Sequence, residues 1–360
     1  MPVPVINCTM YRDNPYTEVL YSGLAERYTP LRGRVDDAIA RLQAREKVLL
    51  HIHWEEHIVR PCRTEVEARV AAEYFRAALE RFVAMGGRLV WTVHNSLPHE
   101  LEHVQQFLQI RQAIGDFSDR ILVHNTEAIN VLADQIRLDR RKIYFLPHPS
   151  YLGVYEPEAA AQSAVSEAAI AETTAAPHGR NILSFGKIRR YKGTERLIEV
   201  LTPDFLAAQQ ARLQISGEPI PEDPFLDELR AQAAGRQDIV WDIRKVEDAE
   251  VPALMRGAAC VVIPYERFLT SGVALLALSV GSLLIGPATR QLRELLPVVS
   301  QRFLFEPESA EDLRRAVADA LALTAEERAG LSRAYLERAQ HFHPQRISQH
   351  LGRVLDPLLH

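Results

Sequence analysis

Ile182-Leu183-Ser184-Phe185-Gly186-Lys187-Ile188-Arg189-Arg190-Tyr191-Lys192-Gly193 begins as a short apolar run, stops at a glycine and continues as a basic loop. An apolar run of this length ending at Gly reads as a buried strand, and a helix is expected from about Thr194. Glycine makes the turn at low cost, and Lys187 and Lys192 can converge on an anion beside it. Free N–H groups at the helix start serve the same anion. Strand, glycine, two cations and helix start together predict a diphosphate site. A pair of lysines around a turn is elsewhere an ordinary solvated surface, so a second signal has to carry part of the reading.

That signal is Val262-Ile263-Pro264-Tyr265-Glu266-Arg267-Phe268-Leu269-Thr270-Ser271-Gly272-Val273. A buried strand again ends in a loop, and Thr270-Ser271-Gly272 stands ahead of Val273–Val280, which is apolar all round and expected to be buried. The N–H groups of that helix start suit a second phosphate. Gly186, Lys187, Lys192, Thr270, Ser271 and Gly272 are therefore expected to bind a phosphorylated donor.

Outward from these two runs, short apolar segments alternate with helical ones along the whole chain, as in a parallel sheet covered on both faces. The second half has strands expected at Asn181–Phe185, Arg212–Ser216, Ile239–Trp241, Cys260–Pro264 and Leu283–Ile285. The first half has them at Val48–His53, Arg88–Val93, Arg120–His124 and Lys142–Leu146. A helix over Thr64–Met85 is expected to bury a stripe of Val66, Val70, Tyr74, Ala77, Leu79 and Phe82, and Gly86-Gly87 ends it. Two such series predict an α/β chain of two Rossmann-like lobes facing across a cleft, with ligands beyond the carboxyl ends of the strands. The expected divisions are a first Rossmann-like lobe over 1–150, an Ala-rich linker or insertion over 151–180, a second Rossmann-like lobe carrying the diphosphate site over 181–340 and a helical tail over 341–360. The loop after Trp241, around Asp242–Val246, is the expected place for base recognition.

At 360 residues the chain suits two domains of about 150–200 residues each. Its formal net charge of -5 gives no electrostatic case for a nucleic-acid partner. No apolar stretch reaches the roughly 18 residues that span a bilayer, and the first residues lack the pattern of a signal peptide. Cys8, Cys62 and Cys260 are scattered without a CxxC pair, so plain thiols in a reducing cytoplasm are expected. His99 and His103 lie one helical turn apart, but nothing else offers metal-ligand spacing. No cofactor and no metal are expected.

The first half carries polar bursts where its strands end. Leu89-Val90-Trp91-Thr92-Val93-His94-Asn95-Ser96-Leu97-Pro98-His99-Glu100 has His94 and Asn95 at a strand end, and His94 and Glu100 are the expected acid–base groups. His99, Glu55 and Glu56 are alternatives for the base. His51-Ile52-His53-Trp54-Glu55-Glu56 offers an aromatic face and carboxylates for a sugar. Arg12-Asp13-Asn14-Pro15-Tyr16 follows the first strand. Asn14, Tyr16, Trp54, Glu55 and Asn95 are expected to meet the acceptor. His124 fits either a core or a cleft, and Pro147-His148-Pro149 reads as a hinge. Arg27, Arg32, Arg34, Arg41, Arg45 and Lys47 form a basic stretch interleaved with Asp36, Asp37 and Glu46. That is a salt-bridged surface first, and an anionic-lipid surface second.

Gly186-Lys187, four residues, then Lys192-Gly193 resembles the GT-B glycosyltransferase superfamily, above all its retaining, family-4-like bacterial branch that builds exopolysaccharides and lipid-linked sugars. The resemblance continues through Ser216-Gly217-Glu218, Pro264-Tyr265, Ser271-Gly272 and Gly281, and a strand-end His-Asn followed by Pro-His-Glu is similar too. It implies metal-independent transfer of a hexose from a UDP- or GDP-sugar to a saccharide or lipid-linked acceptor, at the inner face of a membrane or in contact with it. It implies that both lysines contact the donor diphosphate, that Glu218 lies in the donor site, and that His94 contacts or orients the donor sugar. The positions matching two glutamates of many retaining members are Phe268 and Leu276. Glu266 is then the substitute ribose ligand, and the stereochemical outcome stays open. A sugar-nucleotide epimerase would use the same diphosphate site, and a non-catalytic nucleotide-sugar-binding protein would tolerate the missing glutamates. A dehydrogenase is disfavoured, because no G-x-G-x-x-G follows the first strand.

Overall fold

A computed structural model describes residues 2–9, 14–97, 101–166, 180–265 and 268–359. Glu100 and Glu266, expected as site residues, lie outside them, as do Arg12, Asp13 and His99. The chain forms two compact units. The first comprises Met1–Pro149, Phe268–Thr270 and Pro344–His360; the second comprises Ser150–Arg267 and Ser271–His343.

The first unit runs β1 (Val3–Cys8), α1 (Tyr16–Tyr21), β2 (Tyr28–Arg32), α2 (Val35–Gln43), β3 (Leu49–His53), α3 (Glu65–Ala84), β4 (Arg88–Val93), α4 (Val104–Phe117), β5 (Arg120–Val123), α5 (Glu127–Gln135) and β6 (Ile143–Phe145). Its six-stranded sheet has the order β2-β1-β3-β4-β5-β6, with every pair parallel. The order reverses between β1 and β3, which is where open α/β sheets bind ligands. Alternation along each strand divides the apolar residues between two cores. Ile6, Leu50, Ile52, Trp91, Val93, Ile121 and Val123 belong to the core under α2–α5, while Val5, Leu49, Val90, Leu122 and Leu146 share the other with α1.

Helix α3 begins where a capping box predicts. Thr64 Oγ1 accepts from Glu67 N, and the Glu67 carboxylate accepts from Thr64 N. Its buried face differs from the expected stripe. Ala68, Ala72, Phe75, Ala78, Leu79 and Phe82 are buried, whereas Val66, Val70 and Tyr74 are 59%, 58% and 63% exposed. The bulkier side chains suggested one face, but alanines at helical spacing let the helix lie closer to the sheet on another. Gly87 makes a close pass, since a Cβ there would lie 2.5 Å from the Phe82 ring.

The second unit contains α6 (Glu158–Ala164), β7 (Asn181–Phe185), α7 (Thr194–Val200), α8 (Pro203–Ala208), β8 (Arg212–Ser216), α9 (Phe225–Gln232), β9 (Ile239–Asp242), α10 (Val251–Gly257), β10 (Cys260–Val262), α11 (Gly272–Val280), β11 (Leu284–Pro287), α12 (Arg290–Leu295), β12 (Leu304–Phe305), α13 (Ala310–Leu321) and α14 (Ala325–Gln340). Its sheet order, β12-β11-β10-β7-β8-β9, is that of a dinucleotide-binding fold, with the reversal between β7 and β10. Part of the Ala-rich stretch is the helix α6. Strands β2 and β12 went unexpected. β2 carries Pro30 and Arg32 and is mostly exposed, and β12 is two residues long, so neither has a buried-strand pattern.

The last helix, α15 (Pro344–Leu355), joins the first unit, where Ile347, Leu351 and Leu355 pack with Leu20, Tyr21 and Leu24. Asp356 beyond it accepts from Arg27 Nη1 at 2.5 Å and Tyr28 Oη at 2.7 Å. Arg41 pairs with Glu46 at 2.6 Å, and Lys47 donates to the Leu359 carbonyl at 3.3 Å. Those members of the basic stretch serve ion pairs and the chain end. No described helix is long and apolar enough to cross a membrane.

Candidate active site

In the second unit, β7 ends at Gly186, whose φ of 101° lies in the left-handed region. Gly186 N donates to the Ser216 carbonyl and Ile188 N to the Glu218 carbonyl, so the two strand-end loops run side by side. The approach requires glycine at 217: a Cβ there would lie 2.1 Å from the Gly186 oxygen. Glu218 takes part through its backbone, and its side chain is exposed.

The basic loop then makes a 3-10 turn over Arg190–Lys192 and stops at Gly193, with φ 64°, which also caps α7. Gly193 passes close to the end of β10, where a Cβ would stand 3.3 Å from Pro264 Cγ. Arg190 is held away on α9 by a two-pronged pair with Glu228, each contact 2.7 Å. Lys192 folds back over the first glycine, its Nζ 2.7 Å from where a Gly186 Cβ would be. Burial, then the charges of Arg189 and Lys187, lower its pKa to about 8. No ion pair to Lys187 or Lys192 occurs among the described residues. Three cations crowding a glycine turn form an environment that a bound anion would relieve.

Ser271 caps α11 by accepting from Ala274 N at 3.2 Å, and its hydroxyl meets Tyr265 Oη at 2.6 Å. Tyr265 also lies edge-on to Tyr191, ring centroids 6.0 Å apart, which links the Ser271 turn to the basic loop. Gly272, the first residue of α11, is exposed. Thr270 groups with the first unit, and its hydroxyl is sealed without a partner among the described residues. Leu276 is buried inside α11 and has no means to hold a ribose. In the loop expected to read the base, Arg244 pairs with Asp242 at 2.9 Å and Glu250 at 2.7 Å.

In the first unit, one sheet face turns from apolar to polar towards the strand ends. Leu49 gives way to His51 and His53, Val90 to Thr92 and His94, Leu122 to His124, and Leu146 to His148, because alternate residues share a face. All five imidazoles are buried. Tyr16 packs among them, 4.7 Å from both the His94 and His148 ring centroids. His51 joins Tyr21 Oη at 2.6 Å to Thr92 Oγ1 at 2.7 Å. His53 joins Asn7 Oδ1 at 3.1 Å to His94 Nε2 at 3.0 Å. His124 and His148 each bond a backbone carbonyl through Nδ1. Burial lowers the pKa of His51 to about 3 and of His124 to about 4, and lowers those of His53, His94 and His148 well below the ordinary value. The cluster is neutral at physiological pH.

Trp54 turns the chain after β3 in a left-handed conformation, φ 48° and ψ 58°, a strain of about 1–3 kcal/mol for a non-glycine residue. The turn lays its indole on His94, centroids 4.0 Å apart and planes within 15°. It also sends the two adjacent acids to different work. Glu55 is sealed in an ion pair, accepting from Arg111 Nε at 2.6 Å and from Trp91 Nε1 at 3.3 Å. Arg111, itself fully buried, also donates to the Asn95 carbonyl at 2.6 Å and to Gln135 Oε1. Glu56 accepts from Asn95 Nδ2 at 3.1 Å, and burial followed by the charge of Glu55 raises its pKa to about 7.

Several residues expected to meet an acceptor have partners inside the protein. Glu55 has both oxygens engaged inside the protein, Tyr16 is a core residue bonded to His124 Nε2 at 3.3 Å, and Trp54 supports His94. Asn14 spends its Oδ1 on Tyr16 N at 3.0 Å, starting α1. Asn95 stays partly exposed beside His94 and Glu56. His53, Asn7 and His148 were not among the expected site residues. The recurrence of histidine at strand ends was the available signal. Among the described residues, no group of three or more His, Cys, Asp or Glu side chains is arranged to hold a metal ion.

Comparison with known proteins agrees with this architecture. Residues 179–322 match the family described as Glycosyl transferases group 1. A GDP-mannose:glycolipid 4-beta-D-mannosyltransferase of Xanthomonas campestris pv. campestris is 28% identical over 280 residues, covering 76% of this chain and 70% of that protein. Anabaena HepE in complex with UDP superposes with a TM-score of 0.66 at 14% identity, over 99% of this chain and 100% of that one. The sucrose-phosphate synthase of Thermosynechococcus elongatus gives 0.65 at 15% identity, over 99% of both chains. These two similarities are similarities of fold.

Proposed function

We propose that the chain, whose two units each carry a six-stranded parallel sheet and whose residues 179–322 match a glycosyl transferases group 1 domain, is a GT-B glycosyltransferase that transfers a hexose from a UDP- or GDP-sugar to a glycolipid acceptor. The observation that carries the reading is Lys192, held over the Gly186 turn with Lys187 and Arg189 close enough to depress its pKa. A departing nucleoside diphosphate develops charge at its oxygens, and preorganised cations with helix N–H groups meet that charge. Lys187, Lys192 and the Ser271-Gly272 turn are the proposed donor ligands. The Xanthomonas relative, named for GDP-mannose and a glycolipid, supports the donor and acceptor classes.

On the first unit, His94, Asn95 and Glu56 are the proposed reaction-side groups. If the reaction inverts, Glu56 is the proposed base, since a carboxylate titrating near 7 is matched to taking a hydroxyl proton. If it retains, His94 and Asn95 orient the sugar, and the donor phosphate takes the proton. A lipid-linked acceptor brings the protein beside a membrane. Sedimentation with anionic liposomes carrying such an acceptor is the expected behaviour, and failure to sediment removes membrane contact from the proposal.

A thermal-shift panel of UDP, GDP, TDP, CMP and ADP tests the donor site. One diphosphate is expected to raise the melting temperature, and Lys192→Ala to weaken its binding by about 10–100-fold, the effect of one charge-assisted contact. Affinity should fall as pH rises through about 8, where Lys192 loses its proton. No shift with any nucleotide, or an equal shift in the variant, overturns the assignment. Conversion of a sugar nucleotide into an epimer without acceptor would point to the other enzyme class.

A further inference from the structure

Two of the buried histidines are joined ring to ring, and the direction of the hydrogen bonds can be worked out from one fixed acceptor. The Val5 carbonyl can only accept, and Asn7 Nδ2 donates to it at 3.2 Å. Reversing the amide would bring two oxygens together, so Asn7 Oδ1 is the atom facing His53 Nε2 at 3.1 Å. His53 therefore carries its proton on Nε2. A neutral imidazole has one N–H, which leaves His53 Nδ1 as an acceptor. The atom facing it, 3.0 Å away, is His94 Nε2, which must be the donor. His94 Nδ1 is then bare.

We propose that Asn7, acting through His53, fixes His94 as the Nε2–H tautomer, so that Nδ1 is a permanent hydrogen-bond acceptor for a hydroxyl of the sugar substrate. Naming the partner as a sugar hydroxyl rests on the glycosyl-transfer reading; the tautomer does not. Nothing among the described residues hydrogen-bonds to Nδ1, although the other hydrogen-bonding atoms of this chain, from Val5 O to His94 Nε2, are all engaged. The ring cannot swing to offer its other edge. Trp54 covers one face at 4.0 Å, and Tyr16 stands edge-on with centroids 4.7 Å apart. His94 as a residue is 4% exposed.

The titratable groups around His94 are His51 and His53 from β3, His124 and His148 from beyond β5 and β6, and Tyr16 from α1. Burial first, and the crowding of further imidazoles second, disfavour a proton on His94, so the nitrogen serves as a neutral acceptor. Asn7 and His53 are positioning residues. They lie on β1 and β3, the strands between which the sheet order reverses. An acceptor of fixed polarity distinguishes a hydroxyl from a carbonyl or ether oxygen at the same place, since only the hydroxyl has a proton to give.

The tautomer is read directly by long-range proton–nitrogen NMR of the full chain labelled with 15N-histidine, with His94→Gln used to assign the resonances. The expected result is one protonated Nε2 and one bare Nδ1 on His94, unchanged from pH 6 to 8. A His94 found with its proton on Nδ1, or titrating in that range, overturns the proposal without any variant being needed. Asn7→Leu removes the acceptor for His53, and should mix the His94 tautomers and lower kcat/KM about tenfold. Asn7→Asp keeps an acceptor for His53 Nε2–H, with the carboxyl proton meeting the Val5 carbonyl in place of the amide N–H, and should restore the tautomer and most of the activity at a pH where that carboxyl is protonated. Equal losses in both variants with an unchanged tautomer would make Asn7 purely structural and overturn the assignment. Nucleotide-induced thermal shift, measured on the same samples, reports separately on the donor site. Its absence would count against glycosyl transfer while leaving the tautomer result standing.

Discussion

Glu56 sits on a short 3-10 turn with its carboxyl out of solvent beside that of Glu55, and its pKa is raised to about 7. Its ordinary value in an unfolded chain is near 4.5. The fold therefore prefers the protonated acid, and that contribution to stability is complete below about pH 4.5 and lost as pH rises through about 7. Glu56→Gln keeps an oxygen for Asn95 Nδ2 and removes the charge. The variant should match the wild type near pH 4.5 and exceed it by about 3 kcal/mol at pH 8, as urea titrations at the two pH values would measure. If Glu56 is the base, the same substitution abolishes transfer while leaving nucleotide binding intact. Glu55 and Glu56 cannot be told apart by sequence, because what separates them is Arg111 on a different helix, which claims Glu55 alone.

At the scale of elements, Arg111 fastens α4 to the turn after β3, to the loop after β4 and to α5. Removing one partner of a buried pair strands the other charge, so Arg111→Met should cost about 3–5 kcal/mol. Glu55→Gln in the same background should return part of that, which a double-mutant cycle by chemical denaturation checks. The strands that carry the candidate site were legible for a physical reason: they are buried on both faces and end at glycines or polar bursts, so composition alone marks them. Gly186 and Gly193 were legible as a turn, and they have the left-handed φ that a turn of this kind requires. The face of α3 was not legible. Val66, Val70 and Tyr74 have the larger apolar surfaces, but the sheet accepts Ala68, Ala72 and Ala78, and closeness of approach is not written in side-chain size. The histidine face needed the parallel register. The five residues are far apart in the chain, and it is the alignment of β3 with β4 and of β4 with β5 that brings them together.

For the whole molecule, the main departure from a simple reading of two consecutive halves is helix α15, which follows the entire second unit and yet packs in the first. Leu351 is fully buried there, and Leu351→Ala should destabilise the first unit by about 2–5 kcal/mol. The nucleotide-induced shift of the second unit should survive, and parallel melts with and without nucleotide would show whether it does. The order in which the ribosome delivers the chain gives α15 a further meaning. The sheet that needs this helix is translated first, and its cover emerges roughly 200 residues later, a wait of about 10–40 s at ordinary elongation rates. During that interval Leu20, Tyr21 and Leu24 have an oily flank with nothing native to lie against it. The nascent protein is thus open to chaperones, and to aggregation, until its last turns of helix are free of the exit tunnel.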